Sequence, residues 1–271
     1  MQTITSADGT SIAYETDGDG PPLVLLHGGG TRRYWEPFVP RFSDDFTVVR
    51  PDRRGRGDSG DGDEYDIGRE VEDARAVVDA VAGDPILFGH SFGGLQALEA
   101  ARDAPVQAVI AYEPAYLVGD YRKRANLASR MQAQLENGNR REAMKLHLEE
   151  VIHGGEIDEL DRWLEEWPAW PEYAEHVENA ARMDRALEDH QLSETLDVDA
   201  PALLLTGSEG PSHLRESVRA VHDALPESRL LEFDGVGHLG PTEAPERIAT
   251  ELRRFLEETE AADPTIEGEQ I

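Results

Sequence analysis

The residues Gly89-His90-Ser91-Phe92-Gly93 put a serine where it could act as a nucleophile. They follow the apolar run Ile86-Leu87-Phe88 and lead into Gly94-Leu95, so the stretch reads as a buried strand, a sharp turn and the start of a helix. Such a turn strains its central residue and leaves no room for side-chain carbon on its neighbours, a demand that glycine meets. It also leaves the Ser91 hydroxyl at a helix N-terminus, where the dipole favours developing negative charge. A serine hydroxyl needs a general base within hydrogen-bond reach. Of the nine histidines, His238 is the best placed, because Asp234-Gly235-Val236-Gly237-His238 follows the last apolar run and its glycines let a loop carry an imidazole over a sheet end. His27 and His90 flank turns and are expected to brace them. His147, His153, His176, His190, His213 and His222 are expected to be solvated.

Attack on a carbonyl builds an oxyanion that backbone N–H groups can stabilise. Phe92, the residue after the nucleophile, supplies one. The glycine run His27-Gly28-Gly29-Gly30, directly after Leu23-Val24-Leu25-Leu26, supplies the other through Gly29, where substrate can approach the backbone closely. The same run could be a phosphate loop. It has neither Gly-x-Gly-x-x-Gly nor a Gly-Lys-Ser/Thr ending, which argues against a nucleotide.

These residues need a sheet to hold them. Strands are predicted near 3–5, 11–16, 23–26, 46–50, 86–88, 106–112, 202–206 and 229–233, and helices near 67–82, 93–102, 212–224 and 243–258. The alternation implies an α/β fold with a mainly parallel sheet of about eight strands. Asp8-Gly9 between the first two strands signals a hairpin and so an antiparallel edge. Residues 115–196 hold no convincing strand and read as a helical insertion covering one end of the sheet. The core is then 1–114 with 197–258, and 259–271 is expected to be an acidic, mobile tail.

Composition narrows the class. Acidic residues number 56 against 26 basic ones, a formal net charge of −30 over 271 residues. That field repels nucleic acid and anionic membrane, so neither is expected as a partner. Only Lys123 and Lys145 are lysines. The composition resembles that of proteins from salt-accumulating halophilic archaea. With no cysteine there is no thiolate nucleophile, disulfide or thiolate metal ligand, and no metal or organic cofactor is implied. Residues 1–8 carry no basic or long apolar region, and no apolar run reaches membrane-spanning length, so a cytoplasmic protein is expected.

His27-Gly28-Gly29, Trp35, Asp52-Arg53-Arg54-Gly55-Arg56-Gly57-Asp58-Ser59, Gly89-His90-Ser91-Phe92-Gly93 and Gly237-His238 occur in the order used by the α/β-hydrolases, and the chain resembles that family over nearly all of residues 1–258. The resemblance implies an α/β-hydrolase fold with a helical cap inserted after the sixth strand, and it makes the Arg-Gly-x-Gly-x-Ser loop, with Arg54 and Ser59, mainly structural. It also raises the question of the acid. The family usually places an Asp three residues after a glycine ending the seventh strand; here that position is Gly210, with Glu209 one residue early. A minority uses a Glu directly after the sixth strand, where this chain has Glu113. Glu113 is preferred, with Glu209 as the alternative.

In such relatives the insertion carries much of the substrate selection. Trp163, Trp167 and Trp170 lie there at helical spacing, interrupted by Pro168. With Tyr116 they are expected to wall an apolar substrate pocket. The resulting expectation is a carboxylesterase-like serine hydrolase that cleaves a small ester, thioester or related acyl compound through an acyl-enzyme. Carbon–carbon bond hydrolysis, lactone opening and cofactor-free perhydrolysis use the same groups and remain alternatives, as does a non-catalytic ligand-binding protein on the same scaffold. Oligomeric state is not legible.

Overall fold

The computed structural model describes residues 1–155 and 157–262. In chain order the strands are β1 (Gln2–Thr5), β2 (Ser11–Asp17), β3 (Pro22–Leu26), β4 (Thr47–Pro51), β5 (Ile86–His90), β6 (Ala108–Tyr112), β7 (Ala202–Gly207) and β8 (Arg229–Phe233). They form one sheet in the order β1-β2-β4-β3-β5-β6-β7-β8. β1 with β2 and β2 with β4 are antiparallel; every pairing from β4 through β3 to β8 is parallel.

The central strands are buried on both faces, and this is why their sequences are continuous apolar runs. Leu23, Leu25, Ile86, Phe88 and Ile110 face one side, where Trp35, Phe38 and Phe42 fill the core. Val24, Leu26, Leu87 and Val109 face the other. On that second face lie α1 (Ile67–Ala80) and α2 (Phe92–Ala101), through Val71, Ala74, Val78, Leu95 and Leu98. α1 starts where Asp66 accepts a hydrogen bond from the Arg69 N–H at 2.8 Å.

Among the described residues between β6 and β7 the regular elements are all helices: α3 (Gly119–Arg124), α4 (Leu127–Glu136), α5 (Arg140–Ile152), α6 (Leu160–Glu166), α7 (Trp170–Glu175) and α8 (Val177–Asp189). They share their own core of Met131, Met144, Leu148, Leu164, Tyr173 and Val177. The insertion is tied to the sheet's loops by Glu172, which accepts from Thr31 Oγ1 at 2.8 Å, and by Arg182, which donates to Asp61 at 2.8 Å. The chain returns through β7, α9 (Ser212–Ala224), β8, α10 (Gly240–Glu243) and α11 (Pro245–Ala262). The last helix, expected at 243–258, is longer and is preceded by a separate turn of helix. It packs on the Trp35 side through Ile248, Leu252 and Phe255. Residues 259–262, expected to begin the mobile tail, continue α11; the rest of the expected tail lies outside the described residues.

Candidate active site

Ser91 sits between β5 and α2 with φ 56° and ψ −120°, a conformation that L-residues rarely adopt. Its N–H continues the sheet by donating to Tyr112 O at 2.9 Å, and its carbonyl accepts from Gly94, Leu95 and Ala115 N–H groups. The framing glycines are required by space. A Cβ on Gly93 would lie 2.1 Å from Leu26 O, and one on Gly89 would lie 2.0 Å from Gly93 O.

His238 lies in the loop after β8, buried at 3% exposure. His90 Nε2 donates to the His238 carbonyl at 2.8 Å, and the two rings stand 4.6 Å apart, so the residue before Ser91 pins the loop carrying His238. Tyr112 OH donates to Gly237 O at 2.6 Å and anchors the same loop. His238 Nδ1 is 2.7 Å from Glu113 Oε2. Glu113 is wholly buried, and its other oxygen accepts from Thr206 Oγ1 at 2.8 Å and Gly207 N–H at 3.1 Å. Both oxygens are therefore engaged, which meets the requirement of a buried carboxylate. Glu113 also has a positive φ, 44°, which turns its side chain across the end of β7.

Glu209, the alternative acid, is exposed on the turn after β7. The Gly210 position explains why a carboxylate from β6 fits here: a Cβ at Gly210 would meet Glu113 Oε1 at 2.0 Å. The Glu113 carboxylate fills the space that a side chain at position 210 would take.

The two expected oxyanion donors are held by one residue that sequence reading passed over. Arg53, 2% exposed, donates to Gly28 O at 2.6 Å and lays its guanidinium 3.7 Å from the Phe92 ring centroid. In a trans peptide the C=O and the next N–H point oppositely, so fixing Gly28 O toward Arg53 turns Gly29 N–H away from it. Glu70 balances this buried cation with two hydrogen bonds, at 2.6 and 3.1 Å. The signal for Arg53 was its place, one residue before the Arg-Gly-x-Gly-x-Ser loop at the end of β4, but nothing in the residue type gave its partner. His27 braces the same loop. It accepts the Arg53 N–H at Nε2 (3.2 Å) and so carries its proton on Nδ1, 3.1 Å from Gly29 O. Burial, and then the charges of Arg53 and Arg56, disfavour its protonated form and hold its pKa well below the usual histidine value. Arg54 pairs with Asp73 and Asp8, and Ser59 bridges Asp52 O and Ala13 N, so these serve the fold.

One cleft opens on Ser91, and a second lies beside the loop that carries His238. The inner one is lined by Ser91, Phe92, Ala115, Leu117, Met183 and Leu214 among others. The outer one is lined by Tyr34, Trp163, Trp167, Tyr173, Leu239 and Glu243 among others. Trp163 and Trp167 thus face the outer cleft and not the wall around Ser91. Trp170 and Tyr116 line neither: Trp170 packs beneath Arg141, and Tyr116 is buried with its hydroxyl on Glu99. Pro168 is the reason, since α6 ends before it and the tryptophans fall on two short helices and the bend between them. Two histidines expected in solvent are also buried, His147 at 3% and His213 at 8% exposure; both line the inner cleft. Tyr173 supplies an unexpected contact, because its ring covers the glycine loop so closely that a Cβ on Gly29 would come within 2.5 Å of it.

Residues 23–251 match the family model for the alpha/beta hydrolase family. A crystal structure of an alpha/beta hydrolase from Sphaerobacter thermophilus superposes with a TM-score of 0.80 at 33% identity, covering 94% of this chain and 99% of that one. A soluble epoxide hydrolase from Corynebacterium sp. is 37% identical over 99 residues, 35% of each chain. The pimeloyl-(acyl-carrier protein) methyl ester esterase of Methylococcus capsulatus is 41% identical over 95 residues, 35% of this chain and 36% of that one. These two local matches span only about a third of each relative's length. Because the family match runs from β3 into α11 and takes in six of the eight strands, this chain belongs to the alpha/beta hydrolase family.

Proposed function

We propose that the protein is a serine hydrolase of small acyl esters or thioesters, working through an acyl-enzyme on Ser91, His238 and Glu113. The observation that carries this reading is the 2.7 Å contact between His238 Nδ1 and the buried Glu113 carboxylate, in a loop pinned to the residue before a strained Ser91. A carboxylate on Nδ1 fixes the tautomer that leaves Nε2 free to accept a proton, and it stabilises the imidazolium that results. Ser91 Oγ attacks the carbonyl as its proton passes to His238. Phe92 and Gly29 N–H groups receive the oxyanion, both aligned through Arg53. The imidazolium then returns the proton to the leaving oxygen or sulfur, and water attacks the acyl-enzyme with His238 again as base.

The two clefts divide the substrate. Leu239 and Glu243, which follow His238 in the chain, line the outer cleft, so the leaving group that His238 protonates departs on that side. The acyl group takes the inner cleft beside Ser91 and Phe92. Its lining by Leu117, Leu127, Val151, Met183 and Leu214 suits a small, mostly apolar acyl chain. The serine at the nucleophile position supports acyl transfer rather than the epoxide opening named for one relative, which calls for a carboxylate nucleophile.

A fluorophosphonate probe tests the assignment. The folded protein at its working salt concentration should be labelled, and Ser91→Ala should abolish both labelling and hydrolysis of p-nitrophenyl acetate. Labelling that survives Ser91→Ala, or no labelling at all, would remove Ser91 as nucleophile.

A further inference from the structure

The inner cleft contains a buried polar pair that the proposed reaction does not use. His147 on α5 and Asp184 on α8 stand with Nδ1 and Oδ2 2.7 Å apart, at 3% and 4% exposure. Their surroundings in the cleft are largely apolar, including Leu127, Val151 and Leu187. α5 and α8 also share an apolar core through Met144, Leu148, Val177 and Ala181. Burying a carboxylate against an imidazole carries a desolvation cost that apolar side chains of similar volume avoid, often with no loss of stability. A polar pair kept in an apolar wall facing the nucleophile is better explained by something it binds.

The tautomer says what that is. With its Nδ1 proton given to Asp184, His147 keeps Nε2 for another partner, and its one hydrogen bond among the described residues is the one to Asp184. Nε2 accepts when the ring is neutral and donates when the ring is protonated. A hydroxyl pairs with it in either state, whereas a carbonyl pairs in one only. A carboxylate is disfavoured, because Asp184 and Glu188 both line the same cleft. We propose that His147 is a specificity-determining residue that hydrogen-bonds through Nε2 to a hydroxyl on the acyl chain, with Asp184 as its positioning residue, so that the enzyme selects neutral hydroxyacyl esters over matched alkanoyl esters. The inference rests on the acyl-transfer reading above and on the assignment of the acyl group to the inner cleft.

The test is a ratio. p-Nitrophenyl esters of straight-chain acids are compared with the same acids carrying a hydroxyl at successive positions, and kcat/KM is measured for each pair. At the best position the hydroxyacyl ester should be favoured by about tenfold, the scale of one net hydrogen bond. In His147→Leu that ratio should fall to one or below. His147→Gln, whose amide reaches toward the Nε2 position, should restore part of it, and Asp184→Asn should lower it by freeing the tautomer, mainly through KM. A wild-type ratio near one at every position, or an undiminished ratio in His147→Leu, overturns the proposal. If the wild type turns over no ester at all, it is the acyl-transfer reading that fails. Calorimetry on Ser91→Ala with matched hydroxyalkanoyl and alkanoyl amides then decides the site: tighter binding of the hydroxy amide, lost on adding His147→Leu, supports it, and equal binding overturns it.

Discussion

Among the described residues only Ser91, Glu113 and Glu159 combine a side chain with a positive φ, and the first two meet at the same end of the sheet. Strain of this kind costs about 1–3 kcal/mol per residue and persists only where the surroundings enforce it. At Ser91 the enforcement is the β5–α2 turn; at Glu113 it is the need to turn a side chain from the end of β6 across β7 to Nδ1 of His238. A carboxylate so placed is expected to matter for rate and not for folding alone. Glu113→Gln should lower kcat by about 10³–10⁴-fold by leaving the imidazole free to take the wrong tautomer. Glu209→Gln, on an exposed side chain, should leave kcat within about twofold. Steady-state kinetics on the two variants, with circular dichroism as a fold check, separates the roles; the reverse pattern would transfer the acid to Glu209.

At the level of elements, the ends of β6 and β7 compete to supply one carboxylate. The 2.0 Å approach of a Cβ at position 210 to Glu113 Oε1 means that both ends cannot carry an acid at once. Gly210→Asp alone is therefore expected to lower both the melting temperature and kcat, by crowding one carboxylate against another. Glu113→Ala alone should be nearly inactive. Combining the two vacates the space and returns an acid to it, so the double variant should recover at least tenfold of the kcat lost in Glu113→Ala. No recovery would mean that the turn after β7 cannot aim a carboxylate at Nδ1. The insertion shows the same dependence on element boundaries. Helical spacing united three tryptophans on paper, while the break at Pro168 sends Trp163 and Trp167 to the outer cleft and Trp170 to Arg141.

Two expectations belong to the whole molecule. A net charge of −30 on a chain of this size repels itself in the folded state more than in the expanded one. Raising NaCl from about 0.1 to about 1 M shortens the Debye length from about 10 to about 3 Å, so the melting temperature should rise. A fall over that range would mean that surface ion pairs outweigh the general repulsion. The second concerns buried histidines. Burial depresses His27 and His90 well below the usual histidine value and pushes His213 down to about 4, so all three stay neutral in the fold near neutral pH. The unfolded chain takes up those protons near 6.5, and binding more protons unfolded makes stability fall as pH falls. Between pH 7.5 and 5.5, above the carboxylate range, each such histidine should cost about 1.4 kcal/mol per unit below 6.5. Guanidinium midpoints at the two pH values, at fixed ionic strength, check this; a flat profile would contradict it, and His213→Gln should reduce the slope.

Much of this was legible in the chain alone, and for local reasons. A strand buried on both faces must be a continuous apolar run, and a turn with no room for a Cβ must be glycine, so β3, β5, β6 and β7 and the turn at Ser91 announce themselves. His238 is legible because the glycine before it and the strand before that are sequence neighbours. What joins residues far apart in the chain was not. Glu113 and Glu209 are both carboxylates at strand ends, and only the folded path of β6 beside β7 puts one at 2.7 Å from Nδ1 and the other in solvent. Arg53 reaches Gly28 and Phe92, and His147 reaches Asp184, across 25, 39 and 37 positions, distances over which composition and spacing carry no information. Periodicity sets the face of a helix, but where that helix ends and what it then leans on is settled by packing, which is why the walls of the clefts belong to the tertiary structure.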